Sequence, residues 1–110
     1  MNAISATELR ARVTDKRPPL IIDVRRQAAF HGSREMIQGA LRRDPEHVAA
    51  WAPLLPRAPS IVVYCVHGHE VSQKTAAALA TADIEARFLE GGIEEGWNCL
   101  LYTSDAADEL

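Results

Sequence analysis

A short apolar run that stops at a cysteine constrains this chain more than any other feature. Ile61-Val62-Val63-Tyr64 leads into Cys65, then Val66-His67-Gly68-His69-Glu70-Val71, then Ser72-Gln73-Lys74-Thr75 and an alanine-rich segment to Ala82. The β-branched and aromatic run predicts a buried strand. Val71, Thr75, Ala78, Leu79 and Ala82 recur at helical spacing and predict one apolar helix face, with Ser72 as the expected N-cap. A strand that turns into a helix through a glycine-containing loop places Cys65 at a helix N-terminus. Backbone N–H groups and the positive end of the helix dipole gather there. Such surroundings favour the thiolate, the reactive form of cysteine.

Composition removes several classes of function. The chain has 110 residues, the length of one domain with a modest core. Its 47% hydrophobic and 25% charged residues are ordinary for a soluble globular domain. A net charge of −3 and a pI of about 5.8 offer no reason to expect nucleic acid or an anionic membrane surface as a partner. No apolar run approaches the ~20 residues of a membrane span. The N-terminus lacks a basic-then-apolar export signal, so the cytoplasm is the expected location. Cys65 and Cys99 do not make a disulfide framework. In a reducing compartment each is either packing filler or a working thiol.

Taken in order, Ser5-Ala6-Thr7-Glu8 has capping-box spacing, with Ser5 and Glu8 each able to satisfy the other, and predicts a helix to about Val13. Lys16-Arg17-Pro18-Pro19 ends it, and Leu20-Ile21-Ile22-Asp23-Val24 is the first buried strand. Asp23 and Arg25 stand at its C-terminal end, the end that faces the ligand crevice in open α/β sheets. Arg26 to Phe30 forms a helical turn and His31 to Arg34 a loop. Ile37-Gln38-Gly39-Ala40 turns into a short extended piece. Asp44-Pro45 starts a helix carrying Val48, Trp51 and Leu55. Pro53, Pro56 and Pro59 forbid long regular structure. Beyond the Cys65 segment, Ala86 to Leu89 is a further strand, Gly91-Gly92 turns the chain, and Ile93 to Trp97 begins a last helix. Strands alternating with helices predict an α/β fold with a mainly parallel sheet.

Four of these segments occur together in one order: Ile21-Ile22-Asp23-Val24-Arg25, Ile37-Gln38-Gly39-Ala40, the Cys65 loop, and Leu89-Glu90-Gly91-Gly92 with Trp97. Over residues 5–97 the chain resembles the single-domain rhodanese family of sulfurtransferases. The resemblance implies a three-layer α/β fold with a central parallel sheet flanked by helices. It implies that Cys65 is the nucleophile, carrying sulfur as a persulfide, and that Val66, His67, Gly68, His69, Glu70 and Val71 form the substrate loop. Asp23 and Arg25 then line the pocket or brace it. The implied partners are a small-molecule sulfur donor such as thiosulfate and a thiol or cyanide acceptor, with no cofactor, no metal, no nucleic acid and no membrane. Donor, acceptor and oligomeric state stay open.

The departures from the family pattern are specific. Many rhodaneses hold the anionic donor with a basic residue inside the loop; this loop has no Arg or Lys, and Glu70 opposes a dianion. Met36-Ile37-Gln38-Gly39-Ala40 replaces a His-Ile-Pro-Gly-Ala motif. The related phosphatases and arsenate reductases use Cys-x5-Arg, and here Val71 takes the Arg position, which argues against oxyanion chemistry. A non-catalytic regulatory or redox-sensing module is the alternative to an enzyme. His67 and His69 are either plain polar loop residues or groups that orient or deprotonate an incoming thiol. A Cys65-His67-His69 metal site would consume the nucleophile. Trp51 and Trp97 are expected in the core or pocket wall. Residues 98–110 resemble a translated sequencing adapter and are read as a non-native tail after a domain of residues 1–97; Cys99 is then no part of any site. Resequencing the locus tests that reading.

Overall fold

The computed structural model describes residues 2–97 apart from 34, 57 and 59. The tail from 98 onward, with Cys99, lies outside the described residues, as do Arg34 and Pro59 of the two loops read above. The elements are β1 (Ala3–Ile4), α1 (Ala6–Arg12), β2 (Leu20–Asp23), α2 (Gln27–His31), β3 (Leu41–Arg42), α3 (Val48–Trp51), β4 (Ile61–Tyr64), α4 (Glu70–Thr81) and β5 (Arg87–Leu89). Short 3-10 turns at Pro45–His47 and Ala52–Leu54 flank α3, and a π-helical turn spans Gly92–Trp97.

The strands form one five-stranded sheet in the order β1-β5-β4-β2-β3, every pairing parallel. Alternation along the strands explains the apolar runs. Ile21, Val62 and Tyr64 point to one face, where they pack with Ile4, Leu9, Ile37, Leu89 and Ile93. Ile22, Val24 and Val63 point to the other, against Trp51, Ala52, Ala76, Leu79 and Ala86. Both faces are covered, so neighbouring positions must both be apolar. No helix among the described residues is long and apolar enough to cross a membrane.

Single side chains cap two of the helical segments. The Ser5 hydroxyl accepts from the Glu8 amide at 3.1 Å and caps α1. The reciprocal half of the expected capping box is absent, because the Glu8 carboxylate is taken by Arg12 and Arg87 instead. Asp44 caps its segment through the Glu46 amide, but the segment breaks into single turns rather than one helix carrying Leu55. Pro53 sits inside it, where a ring and a missing N–H interrupt an α-helix. β1 was not legible from the sequence: two residues hold no periodicity, and the strand exists only through its pairing with β5.

Candidate active site

β4 lies between β5 and β2, so its C-terminal end opens near the middle of the sheet. Cys65 is the next residue. Being odd-numbered like Val63, it belongs to the α4 face. The chain then turns sharply at Gly68, which has φ of +72°. A Cβ there would stand 2.5 Å from the Leu89 carbonyl oxygen and 2.7 Å from the Gly91 amide nitrogen, so only glycine fits.

The loop spends its carbonyls elsewhere. Cys65 O accepts from the Ile93 amide at 3.0 Å, Val66 O from the Glu94 amide at 3.0 Å, and His69 O from the Gln73 amide at 3.2 Å. Gly68 O accepts from Gln73 Nε2 at 3.1 Å. The amides of residues 66–71 have no acceptor among the described residues. The Cys65 thiol, 6% exposed, donates to Ser72 Oγ at 3.2 Å.

That contact corrects the expected role of Ser72. The helix begins at Glu70, three residues before the start that a Ser72 cap would set, with His69 at the cap position and no side-chain cap bond. Ser72 lies fully buried in the first turn, against the thiol. The buried stripe of α4 is accordingly Ser72, Thr75, Ala76 and Leu79, whereas Val71 is half-buried and Ala78 and Ala82 are exposed.

Beside the thiol stands a buried ionic network. The Arg25 Nε donates to both Asp23 carboxylate oxygens at 3.0 Å, and its Nη2 also donates to Asp23. Tyr64 donates its hydroxyl to Asp23 Oδ2 at 2.8 Å and accepts from the Ile37 amide at 3.2 Å. Burial pushes the Tyr64 phenol far above its ordinary value, and its bond to the Asp23 carboxylate adds to the rise. Burial works against the Arg25 charge, but the Asp23 carboxylate more than offsets it, so the guanidinium pKa is raised. The two charges compensate each other, which a buried pair requires if neither is to be left alone in a low dielectric.

Arg25, Arg26, Ala29, Cys65, Val66, His67, His69, Glu70 and Val71 enclose a depression of about 210 Å³ with the thiol in its wall. Two sets of charges sit on its rim. Glu70 is held by Lys74 at 2.9 Å and lies 3.9 Å from Arg26, and the bond to Lys74 keeps its carboxyl below the ordinary range. His67 lies 3.6 Å from Glu95 and 3.9 Å from Glu94, and His69 lies 3.9 Å from Glu95. Among the described residues, no group of three or more His, Cys, Asp or Glu side chains is placed to hold a metal ion.

The family profile of the rhodanese-like domain matches residues 5–99. The chain belongs to the rhodanese-like domain family. No protein in the curated set matches it. Solved structures do. A rhodanese homologue from the extremely thermophilic bacterium Thermus thermophilus is 28% identical, with TM-score 0.66 over 84% of this chain and 96% of that one. A Staphylococcus saprophyticus protein is 24% identical, with TM-score 0.72 over 84% and 90%. A rhodanese-like domain protein from Staphylococcus aureus is 22% identical, with TM-score 0.73 over 84% and 88%. The last two likenesses bear on the fold alone.

Within this rhodanese-like fold, the pocket gathers Arg25, Cys65, Val66, His67, His69, Glu70 and Val71 from the residues singled out in the sequence. Gly68 lies buried beneath the loop, and Asp23 stands behind Arg25 as its brace. Sequence reading missed Arg26, Ala29, Tyr64 and the Glu94–Glu95 pair. Arg26 carried a faint signal, since it follows directly on the Asp23-Val24-Arg25 strand end. Tyr64 carried none, because only pairing of β2 with β4 sets it opposite Asp23.

Proposed function

We propose that this rhodanese-like protein is a sulfurtransferase that carries a sulfane sulfur on Cys65. The observation that supports it most is the loop around the thiol, where the carbonyls of Cys65, Val66, Gly68 and His69 are engaged by other donors while the amides of residues 66–71 have no partner among the described residues. Uncommitted N–H groups at the start of a twelve-residue helix stabilise negative charge on a thiolate and on a persulfide. The Ser72 hydroxyl, now an acceptor from the thiol, can rotate to donate to the thiolate.

In the first step Cys65 Sγ attacks the outer sulfur of a donor such as thiosulfate. A new S–S bond forms to Cys65, the donor's S–S bond breaks, and sulfite leaves with the electron pair. In the second step a thiol or cyanide takes the outer sulfur, and the Cys65 thiolate is restored. His67 and His69 stand on the rim, where the acceptor enters. The chemistry needs a reduced thiol, which suits the cytoplasm. We place the working domain within residues 1–97, so truncation after Trp97 should preserve fold and activity.

Intact-mass spectrometry tests the reading. Incubation with thiosulfate should add one sulfur to the protein, and cyanide should remove it as thiocyanate. Cys65→Ala should show neither event. Absence of an adduct with every sulfane donor tried would overturn the enzyme and leave a binding or redox-sensing module.

A further inference from the structure

The loop of this domain has no arginine or lysine of its own, and a cation beside it would add to what its amides offer an anionic donor. Arg25 cannot supply it. Its guanidinium is committed to Asp23 and to the Glu35 carbonyl at 2.9 Å, and its side chain is 2% exposed. Arg26 differs in each respect. It lines the same depression as Cys65, and its side chain is 62% exposed. Its carboxylate neighbour is distant, at 3.9 Å from Glu70 Oε1, and that same oxygen is bonded by Lys74 at 2.9 Å. The guanidinium is therefore a weakly held cation at the mouth of the thiol pocket, with a fork of N–H donors suited to sulfonate or carboxylate oxygens.

We propose that Arg26, delivered from the junction of β2 and α2, binds the anionic tail of the sulfur donor, and that Glu70 is the internal carboxylate which the donor displaces. The proposal rests on the sulfurtransferase reading of Cys65. With thiosulfate bound, Arg26 balances charge on the sulfonate oxygens while Sγ bonds to the outer sulfur. It keeps its hold as the S–S bond breaks and sulfite departs with the electron pair. The Ala29, Val66 and Val71 walls contribute no charge, and Arg26 is the one exposed arginine among the residues that line the depression.

The test is the second-order rate of sulfur loading onto Cys65, followed by quenched mass spectrometry with two donors. One is thiosulfate; the other is the persulfide of 2-mercaptoethanol, whose tail is neutral. Arg26→Gln should slow thiosulfate loading by about tenfold or more, the scale of a lost charge-assisted hydrogen bond. It should leave loading from the neutral-tailed donor within about twofold, which also shows that the variant is folded. Arg26→Lys should recover part of the thiosulfate rate. Glu70→Gln should raise that rate by up to about fivefold, the scale of a weak exposed pair. Equal effects of Arg26→Gln on both donors, or no effect on either, would overturn the assignment and leave the sulfurtransferase intact. So would a wild-type protein that loads only from the neutral donor. Loading from neither donor would overturn both.

Discussion

Arg25 carries a full charge at 2% exposure, and the carboxylate that compensates it, Asp23, has no exposure at all. A buried pair of this kind contributes little net stability, yet removing one partner is costly because the other is left uncompensated. The bidentate contact, the Tyr64 hydroxyl and the Glu35 carbonyl satisfy the donors and acceptors that burial cuts off from water. Arg25→Met should lower unfolding free energy by about 3–5 kcal/mol, measured by urea denaturation. A loss under about 1 kcal/mol would mean that Asp23 finds water or another partner. The same pair shapes the pocket, so residual activity of the variant should fall further than its folded fraction.

Helices and strands here communicate through a few polar bonds at their ends. Glu8 of α1 accepts from Arg87 of β5 at 2.8 Å, and Arg87 also donates to the Ala3 carbonyl at 2.8 Å, tying helix, edge strand and β5 together. The bond to Arg87, aided by Arg12, holds the Glu8 carboxyl below its ordinary value. A carboxyl depressed by folding stabilises above the unfolded pKa of roughly 4.3 and loses that contribution as pH falls through its lower folded value. Glu8→Gln should therefore be less stable than wild type near neutrality, and the gap should close at lower pH; a gap independent of pH would assign the loss to packing. A second junction locks the Cys65 loop to the C-terminal turn. Gly92 has φ of +60°, and a Cβ there would lie 2.4 Å from both Cys65 O and Val66 O. Gly92→Ala must move the loop backbone. It should cost more than about 1 kcal/mol and should slow sulfur loading beyond what stability accounts for.

At the scale of the whole molecule, one parallel sheet separates two apolar layers that share its strands. Leu9 lies in one layer and Leu79 in the other, both with no exposure. Leu9→Ala and Leu79→Ala should each cost about 2–5 kcal/mol, and each should shift a single thermal transition. Two transitions, with only one moved by each substitution, would show that the layers unfold separately. The sequence alone determined the alternation of strand and helix, the strand end at Cys65 and the glycine turn, because these follow from local sterics and from apolar periodicity within one segment. It also carried enough ordered motifs to indicate the family. Only the tertiary structure decided which distant side chains meet. Pairing β4 beside β2 sets Tyr64 against Asp23 and brings Arg26 to the thiol, and pairing β4 beside β5 lays Glu94 and Glu95 along the loop. Such meetings depend on strand order and register, which no single segment encodes, and the chemistry of the pocket is set by them.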